Sequence, residues 1–227
     1  MEVALVTVGD EILAGDTVNT NAAWLGERLA ERGVDVERIT VVPDRIADIA
    51  RVVNEYRAEF DAVIVTGGLG PTHDDVTMEG VAAAVGTDVV DHEGAREWLA
   101  GDGYTASDLA EGTTHLPRGA ELLPNPEGVA PGCVIDGIYV LPGVPDEMKA
   151  MWNHIADEFS GVPRHRLVVE AAEPESALID RFREIQERFD VRVGSYPDEV
   201  VRIKLEGATE EVEAAAAWLR ERVERPD

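Results

Sequence analysis

Residues 62–77, AVIVTGGLGPTHDDVT, join a short apolar run to a glycine-rich turn and a pair of aspartates. The apolar run, residues 62–66, is rich in β-branched side chains, which is typical of a strand buried on both faces of a sheet. In a parallel α/β sheet, a glycine-rich turn directly after a strand lies at the carboxyl edge, where ligands bind. The stretch therefore predicts a parallel sheet with a ligand site at residues 67–71.

The residues before this stretch alternate between strand and helix patterns. Residues 3–8 form a continuous apolar run, and residues 34–42 regain β character after a helix that Asn19 can cap and Gly33 can end. A second helix has its apolar residues on one face: Ile46, Ile49, Val52, Val53 and Tyr56. Strand, helix, strand, helix and strand in this order predict a parallel sheet with right-handed crossovers.

The chain is predicted to contain two domains, a three-layer parallel-sheet α/β domain at residues 1–162 and a small α+β (βαββα) domain at residues 163–227. In the first, we expect a helix near residues 77–85, one more strand over residues 133–141 and a helix over residues 146–159. The second reads as a strand at 166–169, a helix at 175–189, a hairpin of 191–195 with 200–205, and a helix at 210–223. Residues 86–121 give no clear pattern.

The composition is strongly acidic and excludes several classes of protein. The 227 residues include 20 basic and 46 acidic side chains, a formal net charge of −26. So acidic a surface disfavours nucleic-acid binding, and no apolar stretch approaches the roughly 20 residues of a membrane helix. Without a basic leader, we expect a cytoplasmic protein. The single cysteine, Cys133, excludes an intramolecular disulfide framework and is expected to be a buried thiol.

The basic residues are unusual as well, because Lys149 and Lys204 are the only lysines. Few lysines, many acids and many small apolar residues resemble the proteins of extreme halophiles, which suggests a haloarchaeal source. On this interpretation, most of the acidity is a solvated surface whose self-repulsion molar salt screens. The alternative is an ordinary acidic protein.

The glycine-rich turn is a candidate phosphate cradle. Gly67, Gly68 and Gly70 would let the backbone approach a phosphate, and Thr72 would add a hydroxyl. Neither common nucleotide motif is present: no Gly-Lys-Ser/Thr of a P-loop occurs, and the dinucleotide pattern from Gly68 fails at His73. Taken alone, the turn is equally compatible with a structural role.

Acidic residues follow the predicted strand ends and indicate a cation. Asp74 and Asp75 come directly after the glycines, Asp10 and Glu11 follow the first strand, and Asp44 follows the second. Carboxylates alone would repel a phosphate, whereas a divalent cation binds one or two carboxylates together with substrate phosphates. We expect Mg²⁺, Mn²⁺ or Co²⁺, with K⁺ as a further candidate ion. The alternative is a pair of solvated acids favoured by a helix dipole.

Two later motifs flank the predicted strand at 133–141, namely residues 125–132, NPEGVAPG, and residues 141–148, LPGVPDEM. Together with residues 67–77, they resemble the molybdopterin-binding-like (MoaB/Mog-type) domain of the competence/damage-inducible protein A (CinA) family. Residues 9–13, GDEIL, with Asn19-Thr20-Asn21 resemble its opening motif, and residues 194–197, GSYP, resemble a motif of its second domain. The resemblance covers essentially the whole chain.

The resemblance implies a metal-dependent pyrophosphatase acting on ADP-ribose or similar dinucleotides; related eukaryotic domains joined to FAD synthase are associated with FAD hydrolysis. In the wider molybdenum-cofactor family, an Asp-Val-Thr after the glycine turn and an Asp after the second strand are functional. These match residues 75–77 and Asp44 here. Val129 departs from the family, which more often has a hydroxyl residue before Ala-Pro-Gly. The chain ends before a nicotinamide-mononucleotide deamidase domain, so deamidation is not expected.

We therefore expect hydrolysis of a nucleoside diphosphate linkage. The expected catalytic residues are Asp75, Asp44 and Asp74. The expected metal ligands are Asp74, Asp75, Asp10 and Glu11. The expected substrate- and phosphate-binding residues are Gly67, Gly68, Gly70, Thr72, Asn125, Gly143 and Glu147. The alternatives are a non-catalytic pterin- or nucleotide-binding module and molybdopterin adenylyl transfer. The expected partner is a small-molecule nucleotide or pterin, with no nucleic acid and no membrane, and a homo-oligomer is expected.

Overall fold

The computed structural model describes residues 1–105 and 108–226. The chain divides into two compact units, one over Met1–Gly161 and one from Val162 onward. No helix within the described residues is both long enough and apolar enough to cross a membrane.

The first unit is built around one six-stranded sheet. Its elements are β1 (Glu2–Val8), α1 (Asp10–Ala14), α2 (Thr20–Glu31), β2 (Asp35–Val42), α3 (Ile46–Glu59), β3 (Ala62–Thr66), α4 (Thr77–Val85), β4 (Val89–Asp91), α5 (Glu93–Gly101), β5 (His115–Pro117), β6 (Glu121–Leu123), β7 (Gly132–Ile135), β8 (Ile138–Leu141) and α6 (Pro145–Ile155). The sheet order is β2-β1-β3-β8-β7-β6, while β4 pairs with β5 in a separate small sheet. Strands β2, β1, β3 and β8 run parallel, which confirms the predicted α/β fold.

The strands β1, β3 and β8 are buried on both faces of the sheet, which explains their continuous apolar runs. Val6 of β1 belongs to a core that includes Ile49 of α3. Leu5, its neighbour, belongs to the opposite core with Leu25 of α2 and Met148 of α6. Successive residues of a strand point to opposite faces, so one apolar strand serves both helix layers.

The prediction of a single strand over residues 133–141 is wrong. The segment is a hairpin in which β7 and β8 are antiparallel and Ile135 pairs with Ile138. The two residues between them, Asp136 and Gly137, have positive φ values of 47° and 74°. Positive φ at both central residues is the requirement of a type I′ turn, for which Asp-Gly is a strong sequence signal. Only β8 therefore continues the parallel part of the sheet.

Helix α2 has the ends that the sequence predicts. Asn19 Oδ1 accepts a hydrogen bond from Ala22 N at 3.1 Å, which is an N-cap. At the other end, Gly33 has φ 74°, and Val34 N donates to Leu29 O at 3.0 Å, which closes a Schellman motif. The cap fixes the position of the first turn of α2 against the sheet edge.

The second unit is a small antiparallel sheet covered by two helices. Its elements are β9 (His165–Ala171), α7 (Glu175–Arg188), β10 (Val191–Pro197), β11 (Val201–Gly207) and α8 (Thr209–Arg220), with sheet order β10-β11-β9. Ile203 and Leu205 of β11 share one buried core with Leu178 and Ile185 of α7 and Val212 of α8. This arrangement confirms the predicted small α+β fold.

Candidate functional site

Four parallel strands of the first unit end at one edge of the sheet. The register pairs Val8 with Val42 and Thr66 with Leu141. Gly67 N extends this alignment by donating to Leu141 O at 3.1 Å. The residues that follow β1, β2, β3 and β8 are therefore neighbours, at the edge where parallel sheets bind ligands.

The turn after β3 requires glycine at its first two positions. Gly67 has φ 106° and Gly68 has φ 59°, a region that favours glycine. A Cβ on Gly67 would collide with the carbonyl oxygen of Val8, and a Cβ on Gly68 would lie 2.5 Å from Thr77 Oγ1. Gly143, after β8, is less crowded, since its Cβ would lie 3.3 Å from Gly67 Cα. The missing side chains therefore let the ends of β1, β3 and β8 approach one another closely at the edge where a phosphate would bind.

A first cleft of about 240 Å³ opens between these strand ends and the beginning of α2. Seven of the predicted site residues line it: Glu11, Asp44, Gly67, Gly68, Asp74, Asp75 and Gly143. Its wall also contains polar residues from β1, β3 and the start of α2: Thr7, Thr17, Asn19, Thr20, Asn21 and Thr66. The structure thus brings together acids that follow three different strands.

Asp44 carries an unfavourable charge in this cleft. Its Oδ2 accepts a hydrogen bond from Asp10 N at 2.7 Å. Burial raises the pKa of Asp44, and the charges of Asp10, Glu11 and Asp74 raise it further, against the opposing effect of that hydrogen bond. Asp10 does not itself line the cleft and contacts Asp44 through its backbone. A cation bound here would relieve the repulsion among these carboxylates.

Asp75 closes the glycine turn and separates two clefts. Its Oδ2 accepts hydrogen bonds from Thr72 N, at 3.0 Å, and from the Thr72 hydroxyl. A Cβ on Gly70 would lie 2.6 Å from the same oxygen. A second cleft, of about 430 Å³, contains Gly70, Thr72 and His73 and shares Gly68 and Asp75 with the first. The phosphate-binding residues of the prediction are therefore divided between two adjoining clefts.

Asn125 and Glu147 line neither cleft. Asn125 is 1% exposed, and its Nδ2 donates to Glu147 Oε2 at 2.8 Å and to Ala130 O at 3.0 Å. Its Oδ1 accepts from Glu127 N at 3.3 Å. A Cβ on Gly128 would lie 2.5 Å from the Glu147 carboxylate, so the loop folds directly onto this side chain. Both residues hold residues 125–132 against the beginning of α6.

A family described as "Probable molybdopterin binding domain" matches residues 4–161, which lie within the first compact unit. The chain belongs to this family. A protein of Archaeoglobus fulgidus is 36% identical over 213 residues and covers 93% of both chains. A Pyrococcus furiosus protein is 41% identical over 212 residues, 85% of this chain and 84% of that protein.

Proteins of the CinA family are among the relatives of this molybdopterin-binding-like domain. The crystal structure of the CinA protein of unknown function from Thermoplasma acidophilum has a TM-score of 0.65 and 37% identity, covering 70% of this chain and 97% of that one. A CinA-like protein of Frankia casuarinae is 43% identical over 166 residues, 67% of this chain but only 38% of that protein. The resemblance to the CinA family is confirmed.

The prediction of site residues did not include Asn21 and Thr66, two buried polar residues that line the first cleft of this molybdopterin-binding-like domain. Asn21 is 8% exposed, and its Nδ2 donates to Gly143 O at 2.7 Å. Among the described residues, Asn21 Oδ1, Thr66 Oγ1 and Thr77 Oγ1 are buried without a hydrogen-bond partner. Such atoms are expensive to leave unsatisfied, and a ligand is one way to satisfy them. The available signal was the spacing from Asn19, which caps α2 and thereby places Asn21 in its first turn.

The acids of the domain fit a cation only in combination with ligand oxygens. Within the described part of the chain, no group of three or more His, Cys, Asp or Glu side chains is arranged to hold a metal ion. Mg²⁺ does not need such a group, because it is usually held by one or two carboxylates, substrate phosphates and water. Asp44, Asp74 and Asp75 are carboxylates of this kind beside the glycine turn. Their chemistry fits a hard cation that arrives with a phosphate.

Proposed function

We propose that this molybdopterin-binding-like domain hydrolyses a nucleoside diphosphate linkage, as in ADP-ribose or a dinucleotide such as FAD, with a divalent cation. The observation that carries the proposal is the sharing of Gly68 and Asp75 by two clefts of about 240 and 430 Å³. A diphosphate lying across the glycine turn would place one half of the substrate in each cleft. The bond to be cleaved would then lie beside the carboxylates of the turn.

The chain's own residues would bind the diphosphate mainly through the glycine turn. Phosphate oxygens would lie against Gly67 and Gly68, which line the first cleft, and Thr66 Oγ1, a buried hydroxyl without a partner in the wall of the same cleft, is a donor for one of them. Asn21 is orientated by Gly143 O, so that its Oδ1 is the atom left to accept a hydrogen bond from a ligand hydroxyl. These contacts would align the substrate and hold it in place.

One or two of the carboxylates of Asp44, Asp74, Asp75 and Glu11 would hold the cation together with phosphate oxygens of the substrate. When bound, the cation would neutralise charge that develops on the leaving phosphate. The raised pKa of Asp44 supports this assignment, because burial raises it and the charges of Asp10, Glu11 and Asp74 raise it further, and a bound cation would oppose both effects. The hydrogen bonds from Thr72 hold the Asp75 carboxylate in a fixed orientation for the same purpose.

Release of AMP tests the proposal. The protein is incubated with ADP-ribose or FAD and with Mg²⁺, Mn²⁺ or Co²⁺, and nucleotide products are separated by chromatography. Asp75→Asn keeps an acceptor for Thr72 but loses the charge, and we expect it to slow AMP release by about a hundredfold. Glu55→Gln, an exposed acid on α3, is the matched control and should retain the parent rate. Absence of AMP with every metal, or full activity of Asp75→Asn, would overturn the assignment.

A second candidate is a non-catalytic module that binds a pterin or a nucleotide. The absence of a three-donor metal cluster from the residues that the structure describes favours it, and a pterin is the ligand class in the description of the family. The two candidates differ in their metal requirement. Tight nucleotide or pterin binding in EDTA, without turnover after metal is restored, would support the binding module and contradict hydrolysis.

A further inference from the structure

The small sheet of the second unit has one face that its helices do not cover. Ile203 and Leu205 of β11 point into the core beneath α7 and α8. Arg202 and Lys204, which alternate with them, point to the opposite side. The pairing places Tyr196 and Glu170 on either side of Arg202, and Gly194 and Val168 on either side of Lys204. We name the surface formed by these six residues the outer face.

The outer face contains a depression of about 310 Å³ lined by Val168, Tyr196, Arg202 and Lys204. Tyr196 and Val168, on the two edge strands, are each 51% exposed, so neither side chain is covered. Gly194 makes room for the tyrosine, because a Cβ there would lie 3.1 Å from the Tyr196 ring. The floor of the depression is therefore apolar and partly aromatic. Its volume lies at the small end of the range for small-molecule sites.

The rim of the depression is positively charged in a chain whose net charge is −26. Lys204 Nζ lies 2.9 Å from Glu206, but that carboxylate is shared with Arg166 at 3.1 Å. Arg164 lies 3.8 Å from the other oxygen of Glu206, so three cationic side chains face one carboxylate. The side chain of Arg202 is exposed and makes no hydrogen bond or ion pair within the described residues. Arg202 and Lys204 are two residues apart on one strand, so their stems are about 7 Å apart and can contact the same anionic group.

We propose that the outer face binds a nucleoside monophosphate, with the base stacked on Tyr196 and the phosphate held by Arg202 and Lys204. An aromatic platform beside cationic side chains is the combination by which sheets bind nucleotides. The strong negative charge of the whole chain repels polyanions over longer distances, which favours one nucleotide over a nucleic-acid strand. This site is separate from the clefts of the first unit and does not depend on their chemistry.

The presence of only two lysines makes the test specific. Reductive methylation with ¹³C-formaldehyde labels Lys149, Lys204 and the amino terminus, and each gives its own NMR signal. Lys149 is in α6, close in sequence to Pro145 of the first cleft, and reports on binding there. Lys204 reports on the outer face. Titration with AMP, with adenosine and with inorganic phosphate separates the contributions of the ring and the anion.

We expect millimolar AMP to shift the Lys204 signal saturably, with a lower Kd than adenosine or phosphate. Tyr196→Ala should raise the Kd for AMP at Lys204 about fivefold or more, whereas Tyr196→Phe keeps the ring and should retain the parent Kd. Arg202→Gln should weaken AMP but not adenosine. An unchanged Lys204 signal, equal Kd values for AMP and phosphate, a parent-like Kd in Tyr196→Ala, or tighter binding of a short single-stranded oligonucleotide would each overturn the proposal.

Discussion

At the scale of the residue, Asp44 shows that the cleft contains a carboxylate whose charged form is disfavoured. Its pKa is raised by burial and by the charges of Asp10, Glu11 and Asp74. An aspartate with a higher pKa in the folded chain than in the unfolded chain holds its proton more tightly when folded. The charge of Asp44 therefore destabilises the folded state at pH values above its pKa in the folded chain. This destabilisation disappears at pH values below its pKa in the unfolded chain, which is about 3.9. The folded protein tolerates this charge in the place where the proposed cation would bind.

Asp44→Asn should therefore stabilise the protein at neutral pH. The amide keeps an acceptor for Asp10 N and removes the charge. We expect a higher Tm than that of the parent at pH 7 and a difference that shrinks as the pH falls through the titration range of aspartate. Thermal unfolding at a series of pH values measures this difference in Tm, with Glu55→Gln as the control for loss of an exposed charge. A lower Tm for Asp44→Asn at pH 7 would contradict this account.

Asn21 and Asn125 show what residue type alone does not reveal. Both are buried asparagines near motif glycines. Asn125 uses its amide on Ala130 and Glu127 of its own loop and on Glu147 at the beginning of α6. Asn21 donates across the cleft to Gly143, 122 positions away in sequence, and keeps a free oxygen. The difference between a loop support and a cleft residue depends on tertiary contacts that single-sequence patterns do not encode.

At the scale of the element, sequence signals that span only a few residues were sufficient to predict helices and strands. The caps of α2, the run of β3 and the face of α3 depend on residues within a few positions. The structure confirms the first two, and it buries Ile49, Val52 and Val53 of the α3 face but leaves Ile46 43% exposed. The β7–β8 hairpin was missed because nine mostly apolar residues outweighed the Asp136-Gly137 signal, although the turn geometry needs that dipeptide. Residues 86–121 gave no clear pattern because the two strands within them, β4 and β5, have only three residues each.

Helix α4 positions Thr77 and depends on a close contact with α3. A Cβ on Gly80 would lie 2.5 Å from Ile49 Cγ2, and Ile49 is fully buried. Gly80→Ala should destabilise the protein by about 1–3 kcal/mol, because the two helices must separate. Gly26→Ala in α2 is the matched control: nothing lies within 4 Å of its Cβ, and helix propensity should stabilise it by up to about 1 kcal/mol. Urea unfolding measures both; changes of equal sign would refute the packing argument.

At the scale of the whole molecule, topology explains why the cleft was partly predictable. Parallel strands end at one edge, so acids that follow β1, β2 and β3 had to be neighbours once the sheet was inferred. The division of the cradle between two clefts was not foreseeable, because it depends on how Asp75 folds the turn back onto Thr72. Charge is distributed unevenly at the same scale: the chain is strongly acidic, while the depression of the outer face contains Arg202 and Lys204.

The net charge of −26 predicts a stability that depends on salt. Repulsion among surface carboxylates extends over a Debye length, about 10 Å at 0.1 M salt and about 3 Å at 1 M. The unfolded chain spreads the same charges further apart, so screening favours the folded state, and Tm should rise with KCl concentration. The rise should level off once neighbouring carboxylates are screened, whereas stabilisation by excluded salts continues to increase. Thermal unfolding in KCl and in sucrose, which is excluded from the protein surface but carries no charge, separates charge screening from exclusion. A Tm that does not change with KCl concentration would contradict the halophilic interpretation.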